Sequence, residues 1–591
     1  MTACPGSGKT FVLRERAVRK LKEDRHSVGV AVTFTREAAR ELESRVMLAY
    51  PEAGGRLVCG TFHSLCMRQL RETGIEVNLV SDAQAADLLA RAWNEVRVEW
   101  DEQELDAIAA DAPFFAGKRF SFEAVQVFVS MMKSMLHPPV RSPDECPFSA
   151  VFLRYQELLK RRSAMDFNDM LVMATRKMAT GEVAPLVGHG GFLLVDEAQD
   201  GDAVQMGWVR AHMQQGAEVV AVGDDDQNLY CWRFAGGYGA MEGFLKWAKA
   251  EHISLDVTYR CAREILSPAA KLIAHNVERI DKQLRTANHS LGTVEVVACT
   301  NLQSQIERMA DFISAHGQPD QWAVICRTNR IADDVDRYVR GLREAGGGFP
   351  LSKQGGKAFW DLPGPALYLA MCSSLWFDNL IGFDAALRRI GVSERRLSQL
   401  HMRFPPRRRG SLQAWLAKGM EDESDKERLF RTMSSQWRQA MARRALPLAT
   451  QGMLSFMLSH MDLSEAGRRE PGPPSKLMVA SLEGAQRSIA SLARAQGTLG
   501  QRLNALTMDV AERPAEPTGA VRLLTFHSSK GLEFDNVWML ACDATVIPSR
   551  NSHNIEEERR LFYVGMTRAR YRLMISHTAT KASQFIEEAG L

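Results

Sequence analysis

The sequence predicts an α/β fold with two parallel sheets, each interrupted by a mainly helical insertion. Short apolar runs alternate with helix-like segments and end in polar loops, which is typical of parallel strands joined by crossover helices. The run at 191–195 ends in two acids, Asp196 and Glu197. A glycine-rich stretch with a lysine stands at residues 3–10. At 591 residues the chain is too long for one core, so several domains are expected.

The first sheet is predicted from four runs of apolar or β-branched residues, at 28–33, 56–60, 191–195 and 217–222. Between the second and third runs, the composition is rich in Ala, Leu, Met, Glu and Arg, which favours helix. We therefore expect a first domain from residues 1–80 and 161–248, with a helical insertion at 81–160.

The second sheet is predicted from runs at 253–258, 323–326, 521–525, 536–540 and 572–576. A long segment of helical composition separates the second and third of these runs, and turn-rich sequence bounds it at 346–348 and 513–519. The second domain is therefore expected at 249–354 and 512–591, with a helical accessory insertion at 355–511.

Composition excludes several classes of protein. There is no run of about 18 apolar residues and no signal pattern at the N-terminus, which predicts a cytoplasmic protein with no membrane contact. Ten cysteines without a C-x-x-C pair favour free thiols over zinc or iron–sulfur sites. A net charge of +3 neither requires nor excludes nucleic acid.

The N-terminal stretch matches the phosphate-loop pattern except that alanine replaces its first glycine; its members are Ala3, Cys4, Pro5, Gly6, Ser7, Gly8, Lys9 and Thr10. Glycine lets backbone N–H groups approach phosphates, and Lys9 would contact the β- and γ-phosphates. The Thr10 hydroxyl and Asp196 would hold Mg²⁺, while Glu197 would deprotonate the attacking water. Alone, each motif could be a helix-capping turn or a solvated acidic turn. Together they predict a site for ATP and Mg²⁺.

Seven further stretches resemble, in order, motifs of the UvrD/Rep/PcrA-like family of superfamily 1 DNA helicases. They are residues 33–39, 60–63, 166–169, 223–233, 258–260, 525–534 and 563–569. With the phosphate loop and the acidic strand they span almost the whole chain. The resemblance implies two RecA-like P-loop NTPase domains and a motor that moves 3′ to 5′ on DNA.

The resemblance also implies roles for single residues. Gln227 would contact the γ-phosphate, and Arg260 and Arg568 would reach it from the second domain as arginine fingers. These three join Lys9 and Glu197 as expected catalytic residues. Further nucleotide contacts are expected from Arg36, from Tyr259 on adenine, and from Glu533 on ribose.

A single-strand DNA channel is expected beside these motifs, lined by Phe34, His63, Tyr230, Trp232, Arg233 and His527. Base–aromatic stacking tolerates any sequence, which suits a motor stepping along arbitrary DNA. The alternative that these rings are simply buried between layers of the fold stays open. The basic run at 403–410 fits either contact with duplex phosphate or a solvated loop. The expected partners are single-stranded DNA and single-strand/duplex junctions, with an inchworm step of about one base per cycle implied by the family.

Two departures from the family pattern suggest other possibilities. The phosphate loop begins at residue 3, so we expect the strand before it and the upstream adenine-reading glutamine to be missing, as in a truncated or misstarted chain. A nonhydrolysing DNA-binding remnant is then an alternative; an RNA-directed helicase and a phosphotransferase are others. The short segment at 577–586 predicts little strand-separating hairpin, which favours translocation or protein displacement over processive unwinding.

Overall fold

A computed structural model of the protein describes residues 1–97, 122–229, 234–344, 347–353, 363–442, 453, 455–461, 519–550, 552 and 554–591. The chain forms two compact units, one from residues 1–354 with 519–591 and one from 355–518. None of the described helices is long and apolar enough to cross a membrane.

The elements up to residue 250 are, in chain order, β1 (Thr2–Ala3), α1 (Lys9–Glu23), β2 (Gly29–Thr33), α2 (Arg36–Ala49), β3 (Leu57–Thr61), α3 (Phe62–Glu72), α4 (Asp82–Arg97), α5 (Phe122–Lys133), α6 (Pro147–Arg161), α7 (Phe167–Ala179), β4 (Phe192–Val195), α8 (Ala203–Gln214), β5 (Glu218–Ala221) and α9 (Gly237–Ala248).

The later elements are β6 (Ser254–Leu255), β7 (Val257–Thr258), α10 (Arg263–Ile273), β8 (Arg285–Thr286), β9 (Thr293–Cys299), α11 (Leu302–His316), β10 (Trp322–Cys326), α12 (Asn329–Glu344), β11 (Leu351–Lys353), α13 (Pro363–Phe377), α14 (Ile381–Arg389), α15 (Glu394–Arg403), α16 (Ser411–Lys418), α17 (Asp425–Ala442), β12 (Val521–Thr525), β13 (Phe534–Leu540), α18 (Ile555–Met566), β14 (Ala569–Thr578) and α19 (Gln584–Glu588).

The first sheet is parallel, with strand order β3-β2-β4-β5. Its strands are short runs of apolar or β-branched residues, and β2 and β4 are buried throughout, as the inner strands of a parallel sheet must be. The register pairs Thr33 with Thr61, and Val195 with Ala221. All four strands therefore end at one edge, where parallel sheets bind ligands.

A strand of only two residues, β1, stands at the start of the phosphate-loop stretch, where we expected the leading strand to be missing. Thr2–Ala3 pairs in parallel with β6, and the amide of Ala3 donates to the carbonyl of Gly223 at 2.9 Å. Ala3 and Cys4 are completely buried. Two residues make too short an apolar run for a sequence pattern to reveal.

The single strand expected at 253–258 is instead two strands. Ser254–Leu255 pairs with β1, whereas Val257–Thr258 pairs with β8. The chain changes partner at Asp256, and an apolar run carries no information about which neighbour each half will find.

The second sheet is also parallel, in the order β11-β12-β10-β13-β14-β9. The predicted strands at 323–326, 521–525, 536–540 and 572–576 are present with slightly different ends. β11 and β12 are neighbours, although residues 354–520 separate them in the sequence. The predicted fold class is therefore confirmed, with β9 and β11 as strands that the sequence analysis missed.

The described part of the first insertion is helical, as predicted, and has its own apolar core from α4, α5 and α6. Lys133 at the end of α5 is buried and pairs with Asp166 and Asp169, at 2.5 and 2.8 Å. Asp166 also caps α7 by accepting from the Asp169 amide. The acidic stretch at 166–169 thus joins the insertion to α7.

The smaller unit is described at 363–442, 453 and 455–461, and the remainder of the predicted 355–511 insertion lies outside the described residues. Its helices α13 to α17 share one apolar core. Phe404 is part of that core, because only 4% of it is exposed, while Arg407, Arg408 and Arg409 are exposed. The aromatic ring of the basic run therefore packs internally, and the contact with duplex phosphate stays a prediction.

Candidate nucleotide and DNA site

The phosphate loop has the backbone that its glycines allow. Gly6 and Gly8 have φ of +70° and +85°, and Gly8 is the residue before α1. A Cβ on Gly6 would lie 2.5 Å from the Cβ of Arg260, so no side chain fits there. Lys9 and Thr10 form the first turn of α1, whose N-terminal amides face an anion approaching the loop.

The acidic pair follows β4 at the sheet edge. Lys9 Nζ donates to Glu197 Oε2 at 3.1 Å, which joins the phosphate loop to the acidic strand. Burial raises the pKa of Asp196 to about 7, and the charge of Glu197 adds to the effect. Burial also disfavours ionisation of Glu197, but Lys9 and Lys530 hold the pKa of Glu197 below its usual range.

The donor set fits a magnesium ion. Mg²⁺ prefers hydroxyl, carboxylate and phosphate oxygens, and Thr10 and Asp196 supply the first two beside the phosphate loop. Asp196 is only 7% exposed and has a raised pKa, so a cation beside it would favour its ionised form.

Gln227 contacts one of the expected arginine fingers directly. Its Oε1 accepts from Nη2 of Arg568 at 2.9 Å, across 341 residues of sequence. Two backbone carbonyls hold the rest of the guanidinium: Nε donates to Val564 at 3.0 Å and Nη1 to Leu532 at 3.1 Å. Arg568 is 1% exposed, and burial lowers its pKa to about 9.

Residues 258–260 lie against the phosphate loop. The amide of Tyr259 donates to the carbonyl of Gly6 at 2.9 Å, while the Tyr259 side chain is 68% exposed. Arg260 Nε donates to Glu533 Oε2 at 2.7 Å. Burial disfavours ionisation of Glu533, but Arg260 and Arg570 lower its pKa. Two residues expected to meet different parts of one nucleotide are thus paired with each other. Arg36 lies apart, exposed at the start of α2.

Two further side chains at this edge were missed by the sequence analysis. Lys530, on the second-sheet side, pairs with Asp200, and the side chains of both are at least nine-tenths buried. Gln199 donates to Glu197 at 2.6 Å and accepts from the amide of Asp224 at 2.9 Å. Lys530 and Gln199 both lie inside or beside recognised motifs, but nothing in the local pattern identifies the residues with which they pair.

The DNA residues expected on the first sheet follow β2 and β3. Phe34 is half-buried, with its ring centroid 6.1 Å from that of Phe62. His63 packs edge-on against Phe167, a 42% exposed ring that the sequence analysis did not select. Burial lowers the pKa of His63, and its Nε2 has no partner among the described residues. Tyr230, Trp232 and Arg233 lie outside the described residues.

His527 follows β12 of the second sheet, and the residues around it make the same capping hydrogen bonds as those around His63 after β3. Both histidines belong to the sequence Thr-Phe-His-Ser. In each copy the serine hydroxyl accepts from the threonine amide at 2.9 Å, and the threonine hydroxyl accepts from the serine amide. Burial lowers the pKa of His527 to about 4, with Arg327 adding to the effect, so this ring is neutral at pH 7.

Comparison with known proteins agrees with this geometry. Residues 1–241 match the model of the UvrD/REP helicase N-terminal domain, and residues 490–580 match the UvrD-like helicase C-terminal domain. The chain belongs to the UvrD/Rep helicase family. The expected family, its two RecA-like domains and its class of ATP-hydrolysing enzymes are confirmed at the level of that family.

Similar proteins in the UvrD/Rep family align with almost the whole chain. DNA helicase II of Haemophilus influenzae is 27% identical over 630 residues, covering 99% of this chain and 82% of the relative. DNA helicase II of Escherichia coli is 27% identical, covering 98% and 82%. The ATP-dependent DNA helicase Rep of Escherichia coli is 27% identical, covering 96% and 87%.

Proposed function

We propose that the protein is an ATP-dependent motor that moves 3′ to 5′ along single-stranded DNA and hydrolyses ATP between its two sheets. The hydrogen bond from Arg568 to Gln227 carries this proposal, because it brings a buried cation of the second sheet to the loop that follows β5 of the first. Arg260, the other expected arginine finger, lies beside Gly6 of the phosphate loop. Catalysis by these arginines therefore depends on the approach of the two sheets.

The nucleotide would exchange partners with ion pairs already in the site. Lys9 would leave Glu197 for phosphate oxygens, which removes the main cation that holds the pKa of Glu197 low. Glu197 then becomes a better base for the attacking water. Thr10 and Asp196 would hold Mg²⁺, which neutralises phosphate charge when bound.

The base and sugar would be bound beside the loop. Separation of the Arg260–Glu533 pair would free the arginine for phosphate and the glutamate for ribose hydroxyls. The exposed ring of Tyr259 is available to stack on adenine, and Arg36 completes the proposed nucleotide contacts.

The DNA would run along the ends of both sheets. Phe34 and His63 would contact bases from the first sheet and His527 from the second, so that closing and opening of the cleft moves the strand by an inchworm step. His527 is neutral at pH 7 and would bind by hydrogen bonding or stacking. The family resemblance adds Tyr230, Trp232 and Arg233 to this track, and extends the expected substrates to single-strand/duplex junctions.

We also propose the domain division at 1–80 with 161–248, and 249–354 with 512–591. The insertions would be 81–160 and 355–511. In this division β6 of the second domain pairs with β1 of the first.

ATP hydrolysis with and without oligo-dT tests the proposed function, with Glu197→Gln as the matched variant. We expect stimulation by oligo-dT in the natural sequence and a loss of about 10²–10⁴-fold in the variant, because general-base catalysis contributes that much. Binding of oligo-dT without ATP turnover would refute the motor and identify a nonhydrolysing DNA-binding protein. Equal stimulation by oligo-rU would identify an RNA-directed enzyme.

Direction and unwinding need separate measurements. A 3′-to-5′ motor displaces streptavidin from a biotin at the 5′ end of a single strand much faster than from one at the 3′ end, and the reverse order would refute the direction. Residues 579–583 connect β14 to α19 without a hairpin. We therefore expect streptavidin displacement to proceed well and single-turnover opening of a forked duplex by the monomer to be weak.

A further inference from the structure

A lysine outside every recognised motif is buried among three carboxylates. Lys282 Nζ lies 2.6 Å from Asp224 Oδ1, 2.8 Å from Asp225 Oδ1 and 2.9 Å from Asp226 Oδ2, and none of these four side chains is exposed. Arg279 adds a bidentate pair to Asp226, at 3.1 and 3.0 Å. We call these five residues the Lys282 cluster.

The three buried carboxylates of the cluster need the positive charges of Lys282 and Arg279 to offset their own charge. Three adjacent acids whose oxygens lie within 4.8 Å of one another have the arrangement of a metal site, but here Lys282 takes the position of the cation. Burial disfavours protonation of Lys282, yet the three carboxylates raise its pKa above the ordinary value. Three carboxylates against two cations leave a net charge of −1.

The cluster joins the two sheets. The three acids follow β5 of the first sheet, whereas Arg279 and Lys282 lie between α10 and β8, and α10 packs in the core of the second sheet. The amide of Ile280 adds a hydrogen bond to Asp225 at 2.6 Å. Any separation of the sheets at this point therefore removes buried cations from buried carboxylates, which is costly unless the groups are rearranged.

Asp224 connects the cluster to Gln227. One carboxylate oxygen of Asp224 accepts from Lys282, and the other accepts from the side-chain amide of Gln227. The Nε2 of the Gln227 side chain is thereby turned towards Asp224, so that the Oε1 of the same side chain faces Arg568. The backbone amide of Asp224 also holds Gln199, which in turn donates to Glu197.

We propose that Lys282 is a positioning residue, which orients the Gln227 amide through Asp224 and so links the position of the second sheet to ATP hydrolysis. The inference rests on the proposed function. When the second sheet moves, Lys282 and Arg568 move with it. Asp224 then loses the cation that fixes its carboxylate, so it no longer holds the side-chain amide of Gln227 in the orientation that meets Arg568. In this role Lys282 itself contacts neither nucleotide nor DNA.

The test uses the full chain and variants of matched charge. Lys282→Met alone would leave a net charge of −2 in the cluster and endanger folding. Combining it with Asp225→Asn restores the original −1, while Asp224 and Gln227 are unchanged. Lys353→Met is the control, because Lys353 also pairs with one aspartate, Asp333, but on the far strand of the second sheet.

We expect K282M/D225N to lower the oligo-dT-stimulated kcat about 10-fold to 100-fold relative to D225N, which is the scale of a misplaced catalytic group, with KM for ATP within about 3-fold. The same variant should hydrolyse more ATP per base travelled. K353M should retain kcat. A kcat equal to that of D225N, with only a lower melting temperature, would overturn the proposal and leave Lys282 a purely structural role.

A mutant cycle with Gln227→Ala tests whether the effect passes through Gln227. If it does, adding K282M to a D225N/Q227A protein causes little further loss of kcat, whereas independent effects multiply. Multiplying effects would therefore overturn the proposal. Absence of oligo-dT-stimulated hydrolysis in the natural sequence is a different result, which would refute the proposed function itself.

Discussion

Replacement of Asp196 by asparagine should stabilise the protein while abolishing its ATPase activity. Asp196 is 7% exposed at the end of β4, and burial raises its pKa from 3.8 to about 7. Asparagine has nearly the same shape, and its Oδ1 can still accept from the Glu197 amide, a bond of 2.9 Å in the natural protein. The substitution therefore removes mainly a buried charge.

The size of the effect follows from the shift in pKa. An acid whose pKa is higher in the folded than in the unfolded state binds more protons when folded, so stability falls as pH rises between the two values. A rise from 3.8 to about 7 corresponds to roughly 4 kcal/mol of free energy of unfolding, lost in full above pH 7. At pH 5 less than half of that loss has occurred. The gain from Asp196→Asn should accordingly be largest at pH 8.

The assay is thermal unfolding without nucleotide or Mg²⁺ at pH 5 and pH 8. For a domain of 150–250 residues, 1 kcal/mol shifts Tm by about 2–4 °C, so a difference of several degrees between the two pH values is measurable. Asp320→Asn, at an exposed aspartate, is the control and should shift Tm equally at both. A Tm gain for Asp196→Asn that does not depend on pH, or a loss at pH 8, would refute this reasoning.

Three other substitutions separate the proposed roles. Arg568→Lys should lower the oligo-dT-stimulated kcat by about 10³–10⁵-fold with DNA binding retained, since lysine cannot reproduce the planar fork; a loss below about 10-fold would exclude a finger role. Gly6→Ala should raise KM for ATP and lower Tm more than Gly74→Ala. Both glycines have positive φ, but a Cβ at Gly6 would lie 2.5 Å from another Cβ and one at Gly74 would meet nothing. Phe34→Ala should weaken oligo-dT binding by about 1–3 kcal/mol in an anisotropy titration, whereas Phe11→Ala, at an exposed ring on α1, should not; equal affinities for these two variants would remove Phe34 from the track.

Most strands were predictable because parallel inner strands are apolar on both faces. β2, β4 and β10 are buried along their whole length and appear as continuous apolar runs. β9 was missed because it is an edge strand in which four of the seven residues are exposed, and β11 because it has only three residues. Length and exposure therefore decided which strands the sequence revealed.

The sequence by itself determined which chemical groups stand at the sheet edges. The phosphate loop, the acids after β4 and the motif arginines are each contained in a few consecutive residues, and local backbone rules place them at strand ends or a helix start. Their character could therefore be predicted without knowledge of the fold.

Only the tertiary structure decided which of those groups meet. Gln227 and Arg568 are 341 residues apart, and Lys282 lies 58 residues from Asp224 in a stretch with no motif. Such pairings depend on the docking of one sheet against another and on the need of each buried charge for a partner. That requirement is imposed by the folded interior, so no local pattern in the chain records it.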